Sequence, residues 1–379
     1  MIESDKIQIA SLLMALDSER RLRRKSSARL SAAEKRLRNL SIAAIFGGLL
    51  KKIKKRAVQL FSRKRIKSIP GCSIIIPTWR PNPYLTTAVE SCLNQTVSKQ
   101  GIEIIVCVNG GNRDYFEQIK CQYRGIAQVK VLYADAADPN VARRIGVEAA
   151  RMPLLTFLDD DDMLSPGFVG ALAGSFARKD INIAIGRMVG CDEKANVIEA
   201  QDNAYLATMR RVGEGPNSNY RELSTCFSTF WAKMYRTSFF RGSLKISDSL
   251  LPFAEDVFFW VENYPAISGL VWCDRWDGRE AYIRCHRPDS RSKSFADGDM
   301  LNELKIRLKA IGWLSDMALD STRSLDQRCF TVSKIKAQEK MLFIYLETLG
   351  DEERHNANSE IAAAQNPFLE LFQNQTGER

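Results

Sequence analysis

Four consecutive aspartates, Asp159–Asp162, close the apolar run PLLTFLD and open the turn beyond it. Their mutual repulsion is costly unless a cation or water relieves it. Hard carboxylate oxygens suit Mg²⁺ or Mn²⁺, ions that keep waters and bridge to substrate phosphates. Alternation along the chain puts Asp159 and Asp161 on one side, the spacing that holds a metal and an adjoining ligand together. A solvated acidic turn capping a helix, with Asp162 as the cap, is the alternative. Further along, Glu255-Asp256 follows Pro252 and opens the apolar run VFFW. A carboxylate there can act as general base toward a hydroxyl, or can satisfy free N–H groups at a helix start. Only two histidines are present, His286 and His355. A multi-histidine metal centre is therefore ruled out, and any metal leans on carboxylates.

The elements that must position these groups begin at Gly71. CSIIIP (72–77), IEIIVCVN (102–109), VKVLYAD (129–135) and PLLTFLD (153–159) are short, β-branched apolar runs bounded by turn residues. Helical patterns at Tyr84–Asn94, Asp114–Tyr123 and Val141–Ala150 separate them. Strands alternating with helices predict right-handed βαβ units and a parallel sheet. Ligands of such sheets bind beyond the carboxyl ends of the strands. Those ends carry Pro77-Thr78-Trp79-Arg80, Asn109-Gly110-Gly111 and the four aspartates. No G-x-x-x-x-G-K-[ST] or G-x-G-x-x-G follows the first strand, which argues against a P-loop nucleotidase and a dinucleotide enzyme.

These segments resemble family 2 inverting glycosyltransferases of the GT-A fold, of the bacterial cell-surface polysaccharide type. CSIIIPTWRPNPYLTTAVESCLNQT is similar to the family's opening, and PNVARRIGVEAARMPLLTFLDDDDMLSPGFV to its second half with the D-x-D motif. FWAKMYRTSFF (230–240) resembles the acceptor-side segment, FAEDVFFW (253–260) the Glu-Asp motif, and AYIRCHRPDSRSKS (281–294) the closing strand and loop. The resemblance runs in order over about residues 71–295. It implies an α/β fold with a mixed, mainly parallel sheet flanked by helices. It also implies transfer of one sugar from a nucleoside-diphosphate sugar to a hydroxyl of a glycan or lipid-linked glycan.

Carried over position by position, Thr78 and Arg80 would lie near the nucleotide and Asp159 would hold its ribose, with Asp160 beside it. Asp161 would ligate the metal at the diphosphate, with His286 as a further ligand or a surface histidine. Arg143 matches the arginine of the A-R-N-x-G segment, although Arg144 replaces the usual asparagine. Asp256 would be the base, oriented by Glu255. Asn109-Gly110 stands where the family usually has paired aspartates. Asn109 can accept from uracil or donate to cytosine, and a uridine donor is the favoured reading. The Q-x-x-R-W motif of processive synthases is absent, because Trp272 precedes Arg275-Trp276. Single addition is therefore preferred. A nucleotidyltransferase, or an inactive sugar-nucleotide-binding membrane scaffold, is the rival function.

The charge is unevenly divided. Residues 1–70 carry 19 Lys and Arg against 5 Asp and Glu, whereas the other 309 carry 36 against 40. A nucleic-acid enzyme would spread its basic groups around the working cleft, so no nucleic-acid partner is expected. The opening MIESDKIQ lacks the basic start of a secretory signal. The longest nearly apolar run, Leu40–Leu50, is about half of what spans a bilayer. Ile42, Ile45, Phe46, Leu49, Leu50, Ile53, Ala57, Leu60 and Phe61 follow helical spacing opposite Lys51, Lys54 and Lys55. Residues 40–67 therefore read as a basic amphipathic helix for an anionic membrane surface, with packing on the body or a second chain as the alternative. Nine cysteines without a C-x-x-C pair fit a reducing compartment, and Cys72, Cys107, Cys226 and Cys285 read as small buried hydrophobes. The expected location is cytoplasmic, on the inner face of the inner membrane. The expected organisation is a basic extension (1–70), a transferase domain (71–298, with a nucleotide half 71–165 and an acceptor half 166–298) and a helical region (299–379). That last region would cover the body or self-associate.

Overall fold

The computed structural model describes residues 70–97, 101–191, 227–249, 251, 254–273, 280–285, 300–364, 366 and 368–369. The chain divides into two compact units, 1–68 and 69–379. The amphipathic stretch 40–67, Cys226 and His286 lie outside the described residues.

The β-branched runs form strands because both faces can be covered. Strand β1 (Cys72–Thr78) and strand β2 (Ile102–Val108) are buried at every position, as a parallel sheet between helix layers requires. β1 pairs in parallel with β2 and with β4 (Leu154–Phe157), and β2 pairs with β3 (Val129–Tyr133). Between them run α1 (Leu85–Leu93), α2 (Arg113–Gln122) and α3 (Pro139–Ala149). The Asn112 side chain accepts from Tyr115 N at the start of α2. Asp138 caps α3 ahead of Pro139, whose fixed φ suits the first turn.

The second half adds β5 (Met163–Leu164), α4 (Phe168–Ala173), β6 (Ile183–Ile185), β7 (Met188–Cys191), β8 (Lys233–Arg236), α5 (Thr237–Ser243), α6 (Glu255–Asn263), β9 (Leu270–Trp272) and β10 (Tyr282–Cys285). The large sheet has the order β3-β2-β1-β4-β8-β6-β9, and a small one has the order β5-β10-β7. β8 runs antiparallel to both β4 and β6, so the sheet is mixed. β4 stops at Phe157, and the aspartates lie in the turn beyond it, where Asp162 N donates to Asp159 O at 3.1 Å.

Helices α7 (Met300–Leu319), α8 (Leu325–Thr348) and α9 (Asp351–Ala363) follow. A reciprocal Ser324–Gln327 capping box starts α8, satisfying two free N–H groups at once. These helices lie in the same compact unit as the sheets. Trp313 meets Phe258 edge-on at 5.8 Å and Phe330 stacks on Tyr264 at 4.3 Å. The buried Lys334 Nζ donates to Ser228 Oγ at 2.8 Å. Among the described residues no helix is long and apolar enough to cross a membrane.

Candidate active site

One buried guanidinium joins the two acidic motifs. Arg143 projects from α3, and its side chain is only 5% exposed. Its Nη1 lies 3.1 Å from Glu255 Oε1 and 3.5 Å from Asp256 Oδ1, and its Nη2 lies 3.7 Å from Asp159 Oδ1. Asn140 Oδ1 accepts from Nη1 at 3.1 Å, and the Phe230 ring lies beneath the guanidinium at 4.4 Å. The sheet's carboxyl edge and the start of α6 thus share one cation. Glu255 and Asp256 are the first two residues of α6, and Ala254 before them holds a left-handed φ of +65°. That conformation costs a non-glycine residue about 1–2 kcal/mol.

One positive charge cannot neutralise three carboxylates. Burial and the neighbouring acids push Asp159 up to about 7 and Asp256 up to about 8, against the pull of Arg143. Asp256 Oδ1 is buried without a hydrogen-bond partner, facing Arg143 at ion-pair distance. Arg143 itself is held firmly charged by Asp256, Glu255 and Asp159, although burial opposes this.

The remaining aspartates have separate tasks. Asp160 Oδ2 accepts from Thr78 Oγ1 at 2.6 Å, and Thr78 Oγ1 also meets the Tyr115 hydroxyl at 3.2 Å. Asp161 is half-buried, and its charge helps raise both Asp159 and Asp162. Asp162 is not a helix cap. It is buried, accepts from Tyr282 OH at 2.6 Å and Cys285 N at 2.9 Å, and so ties the acidic turn to β10. Trp231 stacks on the Tyr282 ring at 4.9 Å.

Arg80 is exposed, resting 5.5 Å over the exposed Trp79 ring. Trp79 in turn lies where a side chain at Gly110 would stand, 2.3 Å from the position of a Cβ there. Gly110 has φ +91°. Asn109 does not offer its amide to a base. It is buried, its Nδ2 donates to Thr78 O at 2.8 Å, and its Oδ1 accepts from Asp138 N at 3.2 Å. Asn109 therefore joins the β1 end to the cap of α3. Asn109→Asp should lower stability by about 1–3 kcal/mol, because a carboxylate cannot donate to the Thr78 carbonyl. Urea unfolding of the two proteins checks this, and unchanged stability would return Asn109 to a ligand role.

Of the residues singled out in the sequence, Arg143, Asp159, Glu255 and Asp256 form one cluster, and Thr78 with Asp160 an adjoining one. Sequence reasoning missed Tyr115, Tyr282 and Trp231. Their only signal was an aromatic side chain that carries a polar tip, in a helix (Tyr115), a strand (Tyr282) or the bend before β8 (Trp231).

The raised carboxyls also make stability depend on pH. Asp159 and Asp256 bind protons more tightly folded than unfolded. Their contribution is therefore complete below the unfolded value of 3.8 and is lost as pH rises through about 7 and 8. The urea midpoint should fall between pH 5 and pH 9, and fall less in Asp256→Asn. An equal fall in both proteins would count against the Asp256 assignment.

Residues 73–243 match the family model described as Glycosyl transferase family 2. This segment is a family 2 glycosyltransferase domain. The match stops before Glu255-Asp256, although Arg143 binds that pair to the matched part. An uncharacterized glycosyltransferase, EpsJ of Bacillus subtilis, is 28% identical over 197 residues, covering 50% of this chain and 54% of EpsJ. An uncharacterized Haemophilus influenzae glycosyltransferase is 30% identical over 35% of this chain and 52% of its own. The chain thus spans about half the length of these relatives. The structure of Staphylococcus aureus TarS residues 1–349 with UDP-GlcNAc superposes with a TM-score of 0.54 at 17% identity, over 76% of this chain and 79% of that one. The glycosyltransferase domain and TarS share the GT-A fold.

Proposed function

We propose that the chain is a metal-dependent inverting glycosyltransferase. It moves one sugar from a nucleoside-diphosphate sugar, UDP-linked, to a hydroxyl of a glycan or lipid-linked glycan in bacterial surface polysaccharide synthesis. The observation that carries this reading is Arg143, which gathers Asp159 of the strand-end turn and Glu255-Asp256 of α6 within 3.7 Å of one guanidinium. Carboxylates of the strand-end turn and of the α6 start are thereby held at one place, which supports a donor-side role for the first and an acceptor-side role for the second. The UDP-GlcNAc complex of TarS, which has the same fold, supports the choice of donor class.

Asp256 takes the acceptor's hydroxyl proton. The acceptor oxygen bonds to the anomeric carbon from the face opposite the diphosphate, whose bond breaks with its electron pair leaving on the phosphate oxygen. A carboxyl pushed up to about 8 is a stronger base than an ordinary aspartate, which favours this transfer. Asp159, Asp160 and Asp161 supply hard oxygen donors in a turn whose negative charge Arg143 only partly offsets. That donor set fits Mg²⁺ or Mn²⁺, with Asp161 as ligand and His286 as a further one. Among the described residues no three-ligand cage is preformed, and Mg²⁺ is ordinarily held by one or two carboxylates plus substrate phosphates. Such an ion supplies Lewis-acid neutralisation of the departing diphosphate.

Release of UDP, CDP or GDP from the corresponding sugar nucleotides, with and without Mg²⁺ or Mn²⁺, tests the reading. Metal-dependent UDP release to a glycan acceptor is expected. A guanosine preference would sink the uridine assignment, a sugar nucleotide as product would mark a nucleotidyltransferase, and binding without turnover would mark a scaffold. Residues 40–67 are assigned to an anionic membrane surface on the cytoplasmic face. Full-length protein should co-sediment with anionic vesicles, less so in high salt, and deletion of residues 1–68 should abolish this. Equal sedimentation of both proteins would refute it.

A further inference from the structure

Cys191 ends β7 and Cys285 ends β10, and the two residues are directly paired in the register of these parallel strands. Adjacent strands lie about 4.8 Å apart, within the roughly 4.4–6.8 Å Cα separation that a disulfide spans. In-register side chains leave the sheet on the same face, and here the two sulfurs are 3.6 Å apart. Neither is in a disulfide. Cys191 is buried, whereas Cys285 is half-buried. Cys72, Cys92, Cys107, Cys273 and Cys329 are buried.

We propose that Cys191 and Cys285 form an oxidisable dithiol, a modification site that a low-molecular-weight disulfide such as oxidised glutathione converts to a cross-strand disulfide. The Cys285 thiolate attacks one glutathione sulfur, forming a mixed disulfide and expelling the first glutathione thiolate. The Cys191 thiolate then attacks Sγ of Cys285 and expels the second. Two protein thiols are oxidised, one glutathione disulfide is reduced, and the two thiol protons end on the two glutathiones.

Closure would draw the sulfurs from 3.6 Å to about 2.05 Å. The Cys285 N–H donates to Asp162 Oδ1 at 2.9 Å, and Asp162 Oδ2 accepts from Tyr282 OH at 2.6 Å. The same hydroxyl accepts from Asp159 N at 3.3 Å. Displacing the end of β10 therefore loosens the acidic turn. The disulfide should weaken nucleotide binding several-fold, an effect that rests on the donor reading above, whereas the dithiol chemistry does not.

Full-length reduced protein, treated with oxidised glutathione and mapped by peptide mass spectrometry, should yield a Cys191–Cys285 linked pair. The exposed Cys121 should yield a glutathione adduct. Cys191→Ser should trap the glutathione adduct on Cys285, and Cys285→Ser should yield neither product. Calorimetry with UDP and Mg²⁺ should show several-fold weaker binding after oxidation, restored by dithiothreitol. A Cys285 that stays reduced, or stops at the glutathione adduct in the unaltered protein, would overturn the dithiol. A linked pair with unchanged UDP affinity would overturn the coupling. If the reduced protein binds no nucleotide, the donor reading fails and the peptide map alone decides the dithiol.

Discussion

Asp256→Asn should lower the rate of sugar transfer by roughly 10²–10⁴ while leaving nucleotide binding within a few-fold. The substitution is nearly isosteric and keeps a hydrogen-bonding group, but the amide cannot take up the acceptor's proton. It also removes one negative charge from three that share a single guanidinium. The variant should therefore fold at least as well as the parent, and a lost rate cannot be blamed on a lost fold. In the parent protein, kcat/KM should rise with pH toward the raised value of Asp256, about 8 in the free enzyme. The product should carry the anomeric configuration opposite to the donor's, read from NMR coupling constants. Near-normal transfer by Asp256→Asn, or retention at the anomeric carbon, would remove Asp256 from its role.

Arg143→Met should act on both fold and chemistry. Methionine fills much of the space over Phe230 but leaves Asp159, Glu255 and Asp256 facing each other without a cation. Breaking a buried ion pair from one side costs on the order of 3–5 kcal/mol. The loss should be smaller at pH 5 than at pH 8, because protonated carboxyls need no counter-charge. Arg143→Lys should fall between, since it restores the charge without the planar fork that reaches three partners. Urea unfolding of the three proteins at the two pH values measures this. Equal stability of Arg143→Met and the parent at both would show that the guanidinium is not the link between the motifs.

The parallel core was legible because burial on both faces leaves unbroken apolar runs. IIIPT and IEIIVCV need no partner information to read as strands. β6, β8 and β9 were not legible, being three or four residues long. Lys233 interrupts the pattern of β8, yet it is buried there, with its amine on the Thr229 and Trp231 carbonyls. The acidic residues of the site were legible by type, since strand-end carboxylates and a Glu-Asp pair stand out. Their convergence was not, because Arg143 reaches Glu255 across a separation that no local spacing encodes. Asn109 shows the opposite failure. A polar residue at a strand end reads as a ligand contact, whereas here two backbone groups occupy its amide.

The C-terminal helices bear on how this protein can be dissected. A chain cut after residue 298 would uncover Tyr264 and Phe258, which Phe330 and Trp313 now cover, and would leave Ser228 without the Lys334 amine. Ser228 lies two residues before Phe230, the ring beneath Arg143. Sticky, poorly soluble material is the expected product of such a cut, and a minimal working fragment must keep the chain through α8.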